Sequence, residues 1–201
     1  MRRSVFLTAT AMVLFAMAAA AQESRSEISV QGTGFLTQSA TGNGTSYDAT
    51  QTAGVLGTYR YRLNHWLSAE GAYGFERNTQ KYALNSTDFR IQSNLHQFTG
   101  GLVFALPVVK RRFSPYLLTG GGILLFDPTG SDTNNVFGSQ TQARGVFQYG
   151  GGVDYPILRR VSLRAEYRGL IYSTPDFSFS TLRTNSITHT AEPSIGLAFH
   201  F

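Results

Sequence analysis

Residues Val161–Tyr172 read VSLRAEYRGLIY, and they alternate between apolar and polar side chains. Successive side chains of a β-strand point to opposite faces. One face would then carry Val161, Leu163, Ala165, Tyr167 and Gly169. The other would carry Ser162, Arg164, Glu166 and Arg168. The stretch predicts a strand with one oily face and one charged face, and the face that points to the interior decides the fold.

Similar alternation recurs along the chain, which has 201 residues, 21 glycines and no cysteine. Eight runs lie near 27–36, 50–63, 67–77, 93–106, 115–126, 141–155, 161–172 and 187–201. The run at 115–126 is apolar on both faces, so its sides cannot be assigned from the sequence. Beyond the N-terminal segment, no stretch approaches the ~18 continuous apolar residues of a transmembrane helix. The pattern predicts an all-β protein.

The connections between these runs alternate in length. Short ones follow the second, fourth and sixth runs, at 64–66, 107–114 and 156–160. Long polar ones follow the first, third, fifth and seventh runs, at 37–49, 78–92, 127–140 and 173–186. Tight turns at one rim and long loops at the other are expected of an up-and-down barrel that crosses a membrane. We therefore predict an eight-stranded antiparallel up-and-down transmembrane β-barrel.

Two barrel types differ in which face points inward. A lipocalin-like soluble barrel has an apolar interior, whereas a membrane barrel turns its apolar side chains to lipid and its polar ones to the lumen. The polar faces here contain arginine and carboxylates but no lysine, which favours a lumen because arginine pairs well with carboxylates where hydration is restricted. Aromatic residues near the strand ends suit the two membrane interfaces. The membrane barrel is favoured, and a soluble periplasmic ligand-binding barrel remains the alternative.

The predicted lumen network consists of Arg60, Glu70, Arg144, Arg164, Glu166 and Arg168. Eight strands leave an interior just wide enough for side chains to fill. Unpaired charges would be costly there, so we expect Glu70 and Glu166 to pair with some of the arginines. The lumen should then be plugged rather than an open pore.

The N-terminal segment has the pattern of a secretory signal peptide. Arg2 and Arg3 precede a short apolar stretch, Val5 to Met17, and Ala19–Ala21 provide small residues for cleavage. We predict a signal peptide over residues 1–21 and a barrel domain over residues 22–201. Removing Arg2 and Arg3 from the 17 basic residues leaves 15 against 12 acidic ones. That mild excess does not predict a nucleic-acid partner.

The chain ends PSIGLAFHF, Pro193 to Phe201. This strand resembles the C-terminal signal of bacterial outer-membrane barrels, with Ser194, Gly196, Phe199 and Phe201 at the constrained positions. The stretches SPYLLTGGGILLF (114–126) and FQYGGGVDYPILRRVSLRAEYRGLIY (147–172) are similar to those of small OmpA/OmpX-type barrels. The resemblance implies a location in the bacterial outer membrane. It also implies contact with outer-membrane lipid and lipopolysaccharide, and recognition of the last strand by the barrel assembly machinery. We expect a monomer.

No catalytic, cofactor or metal site is predicted. The four histidines, His65, His96, His189 and His200, lack metal-ligand spacing. An outer-membrane lipid-modifying hydrolase remains an alternative, but His189 has opposite strand parity to both Ser186 and Glu192. We expect a non-enzymatic barrel with a structural role, or one that makes surface contacts through its loops. The loop aromatics Tyr47, Tyr82, Phe137, Phe177 and Phe179 are candidates for those contacts.

Overall fold

The computed structural model describes residues 25–42, 45–49, 51–84, 87–107, 112–129, 141–175 and 186–201. Within these residues ten strands form one antiparallel sheet. They are β1 (Ser26–Thr37), β2 (Ala40–Gly42), β3 (Thr45–Ala49), β4 (Thr52–Arg62), β5 (Leu67–Leu84), β6 (Thr87–Ala105), β7 (Ser114–Pro128), β8 (Gln142–Leu158), β9 (Val161–Ser173) and β10 (Ile187–His200). The predicted signal peptide lies outside the described residues.

Eight of the strands, β1 and β4 to β10, close into a barrel, as predicted. Consecutive barrel strands pair, and β10 pairs with β1, for example Leu197 opposite Val30. At the seam, Ser26 and Phe201 exchange backbone hydrogen bonds of 3.1 and 2.9 Å. Closure removes the two bare edges that an open sheet would present. In the part of the chain that the structure describes, no helix is long and apolar enough to cross a membrane.

The charged faces of the strands point into the barrel. Arg164, Glu166 and Arg168 of β9 are buried, whereas Leu163 and Tyr167 on the same strand are exposed outside. The other barrel strands follow the same rule, with exposed outward residues such as Val30, Phe98 and Ile195. This is the arrangement expected where oily side chains meet lipid, and it excludes the apolar interior of a lipocalin-like barrel.

Two of the predicted long loops contain strand over much of their length. The segment 78–92 was expected to be a polar loop, but β5 and β6 continue their ladder from Asn78–Ser93 out to Leu84–Thr87. The segment 37–49 was likewise expected to be a loop, and it contains β2 and β3. Backbone hydrogen bonds can continue without an apolar face, so a sequence search for apolar alternation misses this part of the sheet.

Three aromatic residues that were expected near the membrane interfaces instead face the lumen: Tyr116, Phe126 and Tyr172. Tyr116 and Phe126 belong to β7, the strand whose two faces look alike in the sequence, and its even-numbered residues point inward. Polar partners explain why the two tyrosines point into the lumen. The Tyr116 hydroxyl donates to Glu166 Oε2 at 2.5 Å, and Tyr172 shares a 3.0 Å hydrogen bond with Thr190.

Candidate functional site: the charge network of the lumen

Arg60 on β4 and Glu70 on β5 are cross-strand partners at the centre of the buried charges. Arg60 Nη2 lies 2.7 Å from Glu70 Oε2, and its Nε donates to the same oxygen at 3.1 Å. Arg60 Nη2 is also 3.6 Å from Glu166 Oε2. Its guanidinium carbon lies 4.4 Å from the centre of the Tyr116 ring, a cation–π contact.

Arg168 on β9 joins the same two carboxylates from the opposite side. Its Nε donates to Glu166 Oε1 at 2.6 Å, and its Nη2 donates to Glu70 Oε1 at 2.8 Å. Glu70 and Glu166 therefore each lie between Arg60 and Arg168. All four side chains are buried, and two carboxylates facing two guanidiniums balance in charge. The sequence prediction named all four of them.

Arg164 forms a second group, closer to the tight-turn rim. Its Nε and Nη2 donate to the two oxygens of Asp154, each at 2.7 Å. Its Nη2 also lies 2.5 Å from Glu27 Oε1. Such forked contacts are the geometry in which arginine binds carboxylates most strongly.

The sequence-based network omitted Glu27, Asp154 and Tyr116. Asp154 does follow the polar alternation of β8, which could have included it. Glu27 lies at the second residue of β1, where there is too little alternation before it to assign a face. Tyr116 lies on the strand whose two faces look alike. The alternation of odd and even positions therefore identifies inward charges well inside a strand but misses them at strand ends.

Arg144 lies further along its strand than the residues that pair with Glu70 and Glu166. The ion pairs that the described residues make with Glu70 and Glu166 come from Arg60 and Arg168. Arg144 is half-buried on the inward face of β8, four residues beyond Gln148, which contacts Arg168. At roughly 3.3 Å per residue, that places Arg144 about 13 Å further along the strand. Parity predicted its face correctly but gave no information on its height in the barrel.

A cavity of about 670 Å³ opens at the tight-turn rim and reaches the network from that side. Glu27, Arg60, Tyr116 and Asp154 are among its lining residues. Glu70 and Arg168 do not line it. The central carboxylate–guanidinium layer therefore lies beyond the inner end of this cavity.

The histidines are distributed over separate positions. His96 Nδ1 shares a 2.9 Å hydrogen bond with the Tyr73 hydroxyl, and His189 Nε2 shares one of 3.0 Å with that of Tyr149. His200 Nδ1 lies 3.2 Å from Glu27. Among the described residues, no group of three or more histidine, cysteine, aspartate or glutamate side chains could hold a metal ion.

The residues of the hydrolase alternative do not come together. His189 lies on the outward face of β10, where it bonds to Tyr149. Glu192 is fully buried in the lumen. The wall of the barrel separates the two side chains, as their strand parity predicted.

The four residues of the C-terminal motif lie on both faces of β10. Ser194 points inward and donates to Gln31 Oε1 at 3.0 Å. Gly196 lies against the backbone of Val30 and Gln31, where an added Cβ would collide with the Val30 carbonyl oxygen. Phe199 is exposed on the outer face and Phe201 is half-buried at the rim. This segment forms the seam with β1.

A family model described as "Outer membrane protein beta-barrel domain" matches residues 7–201. No curated protein matches the chain.

Several solved structures share the fold. Neisserial surface protein A has a TM-score of 0.59 at 18% identity, with 89% of this chain and 98% of that one covered. OprG from Pseudomonas aeruginosa has a TM-score of 0.62 at 15% identity, covering 89% and 96%. Ail, the attachment invasion locus protein of Yersinia pestis, in complex with the heparin analogue sucrose octasulfate, has a TM-score of 0.52 at 19% identity, covering 88% and 97%.

The lipid-facing apolar exterior, the charged lumen, the closed eight-stranded barrel and the match over nearly the whole chain agree with one another. This chain belongs to the outer membrane protein β-barrel domain family, and its place is the bacterial outer membrane.

Proposed function

We propose that this protein is a non-enzymatic surface barrel, with a lumen closed by its charge network and an outward extension of the sheet that contacts molecules outside the cell. The observation that carries the proposal is this extension. The ladder of β5 and β6 runs on to Leu84–Thr87, and β3 joins it through Thr45–Leu84 to Ala49–Gln80. Long loops lie on the extracellular side of such barrels, so the extension projects outside the cell.

The lumen supports the closed-barrel part of the proposal. Arg60, Glu70, Glu166 and Arg168 cross the interior with contacts of 2.6–3.6 Å. An ion or solute that passed this layer would have to separate buried ion pairs, and each unpaired charge would lose several kcal/mol. An eight-stranded barrel has no spare width through which the layer could be bypassed.

The extension supports the contact part of the proposal. Its register sets Tyr47 opposite Tyr82, and Tyr82 opposite Phe89. Three neighbouring strands thus bring together aromatic positions that are far apart in the sequence. Two of them, Tyr47 and Tyr82, were candidate contact residues from the sequence. Phe137, Phe177 and Phe179 lie outside the described residues.

Basic residues favour an anionic partner for this surface. Arg77 is exposed on the outer face, where its Nε donates to Asn94 Oδ1 at 3.1 Å. Further out along the same pair of strands, the register sets Lys81 opposite Arg90 on one side and opposite Asp48 of β3 on the other. The structure of Ail in complex with a heparin analogue suggests sulfated polysaccharide as a probe. Lipopolysaccharide phosphates are the other anions within reach of this part of the barrel.

A trimmed variant tests the contact role. Residues 80–91 are replaced by a two-residue turn, which leaves Thr79 and Gln92, themselves a cross-strand pair, to close the hairpin. We expect the variant to reach the outer membrane in normal amounts and to bind immobilised heparin at least several-fold more weakly than the intact protein. Equal binding by the two proteins would remove the support for a contact role of the extension.

Bilayer recordings test the closed lumen. The purified protein, inserted into a planar bilayer, should give no steady conductance, because the buried layer leaves no continuous aqueous path. A stable channel formed by the unaltered protein would contradict the proposal that the lumen is closed. Insertion is verified in the same sample by the mobility shift that boiling causes in folded outer-membrane barrels.

The terminal strand supports a proposal on biogenesis. Ser194, Gly196, Phe199 and Phe201 match the motif of the last strand of outer-membrane barrels, and this strand forms the seam with β1. We propose that the assembly machinery recognises it by edge pairing before the seam closes. We further propose that the finished barrel is a monomer, surrounded by lipid and lipopolysaccharide.

A further inference from the structure

Glu76 on β5 and Glu192 on β10 are buried in the lumen beyond the charge network, with 1% and 0% of their surfaces exposed. Neither oxygen of Glu76 accepts a hydrogen bond from the protein, and Glu192 Oε1 accepts none either. The ion pairs among the described residues include neither glutamate. Two buried carboxylates thus have no ion-pair partner among the described residues.

The neighbouring arginine attracts Glu192 but is shared with two other carboxylates. Arg168 is the cross-strand partner of Glu192, but its Nε and Nη2 bind Glu166 and Glu70. Over the described residues, the buried charges are six carboxylates and three guanidiniums. The carboxylates are Glu27, Glu70, Glu76, Asp154, Glu166 and Glu192, and the guanidiniums are those of Arg60, Arg164 and Arg168, with half-buried Arg144 also facing inward. Burial of an unpaired carboxylate is costly, so this negative excess has to be neutralised by protons or by a counter-ion.

Additional oxygens surround the two carboxylates. Gln97, which is fully buried, donates from Nε2 to Glu192 Oε2 at 3.3 Å, while its Oε1 has no partner in the protein. The hydroxyl of Thr33, which is more than nine-tenths buried, also lacks a partner. Five such oxygens belong to this cluster: Glu76 Oε1 and Oε2, Glu192 Oε1, Gln97 Oε1 and Thr33 Oγ1.

Two glycines allow the side chains of the cluster to lie close against the sheet. Gln97 Oε1 and Glu76 Oε1 lie 3.4 and 3.5 Å from the point that a Cβ at Gly74 would occupy. Thr33 Oγ1 lies 3.1 Å from the corresponding point at Gly54, where an added Cβ would also collide with the Glu76 side chain. The oxygens of three different strands therefore approach two positions that have no side chain.

We propose that Glu76, Glu192 and Gln97, together with Thr33, form a binding site for a calcium ion in the lumen. Calcium takes carboxylate and amide oxygens in variable geometry, and it keeps water ligands where the protein supplies too few. A divalent cation would balance the two carboxylates. The absence of nitrogen and sulfur ligands disfavours the transition metals. Two of the ligand side chains are carboxylates, and the remaining protein oxygens come from an amide and a hydroxyl.

Titration of the folded protein with calcium chloride tests the site. Protein refolded in detergent without lipopolysaccharide is treated with a chelator and then titrated with CaCl₂ by calorimetry. We expect one ion per chain, with a dissociation constant on the order of 10⁻⁴–10⁻³ M, as in extracellular calcium modules. Glu76→Gln and Glu192→Gln should each weaken binding by at least about tenfold, because ligand charge sets the affinity. Asp127→Asn, at an exposed carboxylate on the outer face of β7, should bind like the unaltered protein.

Unfolding by guanidinium gives a second measurement on the same proteins, followed by the fluorescence of the single tryptophan. Calcium should raise the midpoint of the unaltered protein and of Asp127→Asn, but not that of the two glutamine variants. Without calcium, the glutamine variants should be at least as stable as the unaltered protein, because each removes a buried unpaired charge. The proposal is overturned if the unaltered protein binds no calcium, or if a glutamine variant binds it equally well.

Discussion

Arg164 Nη2 and Glu27 Oε1 lie 2.5 Å apart, although 137 positions separate the two residues in the chain. Glu27 belongs to β1 and Arg164 to β9, and β10 lies between those strands in the barrel wall. The contact therefore passes behind β10 on the lumen side, across the seam that joins the first and last strands. It exists only once the barrel is closed.

The Arg164 contacts predict a large loss of stability on substitution. Arg164→Met keeps much of the side-chain volume but leaves Glu27 and Asp154 without their forked partner. Removal of one member of a buried ion pair typically costs about 3–5 kcal/mol, and we expect a loss of that size in the free energy of unfolding. Guanidinium titration in detergent measures it. Arg62→Met, at an exposed position on β4, is the matched control and should change stability by about 0.5 kcal/mol or less.

The lipid-facing exterior predicts that an outward arginine destabilises the barrel by an amount that depends on its depth in the membrane. Ile195 lies outward within β10, whereas Leu158 lies at a tight turn. Ile195→Arg should reduce the free energy of folding into lipid vesicles by about 2–4 kcal/mol, and Leu158→Arg by about 0–1 kcal/mol, because a charge costs most near the bilayer midplane. Equal costs at the two positions would contradict the proposed placement of the membrane.

The hydrogen bond between Tyr149 and His189 predicts a small contribution to stability, which can be measured separately from that of the tyrosine ring. Tyr149 also covers Gly169, since a Cβ at that glycine would collide with the tyrosine ring. Tyr149→Phe keeps the ring and removes only the 3.0 Å hydrogen bond, so we expect a loss of about 1 kcal/mol. Tyr149→Ala should cost more, because the ring is lost as well. If the two variants were equally stable, the ring would contribute nothing at this site.

The terminal phenylalanine predicts a defect in assembly rather than in stability. Phe201 joins the seam through its backbone, which Phe201→Ala preserves. In cells, this variant should reduce the amount of folded barrel in the outer membrane several-fold, as judged on unboiled gels. In vitro, refolding should be close to normal. Phe113→Ala, at an exposed aromatic position near the tight-turn rim, should have no such effect in cells.

Local alternation was sufficient to predict the eight barrel strands, their antiparallel order and the inward face of most of them. Val161–Tyr172 shows why. The direction of a side chain in a strand depends only on whether its position is odd or even, and a membrane barrel requires opposite chemistry on its two faces. Arg60, Glu70, Arg164, Glu166 and Arg168 could therefore be placed in the lumen without knowledge of their partners.

The partners themselves were decided by the closed barrel. Parity gives a side chain's face but not its height, and the height depends on the hydrogen-bond register between strands and on their tilt. For this reason the alternation placed Arg144 on the inward face without fixing its height, and Glu27 and Arg164 could not be connected. Tyr116 turns inward from a strand that is apolar on both faces because a buried carboxylate and two guanidiniums lie there, and no local pattern encodes that environment. Glu76 and Glu192 likewise come together only when the first and last strands meet.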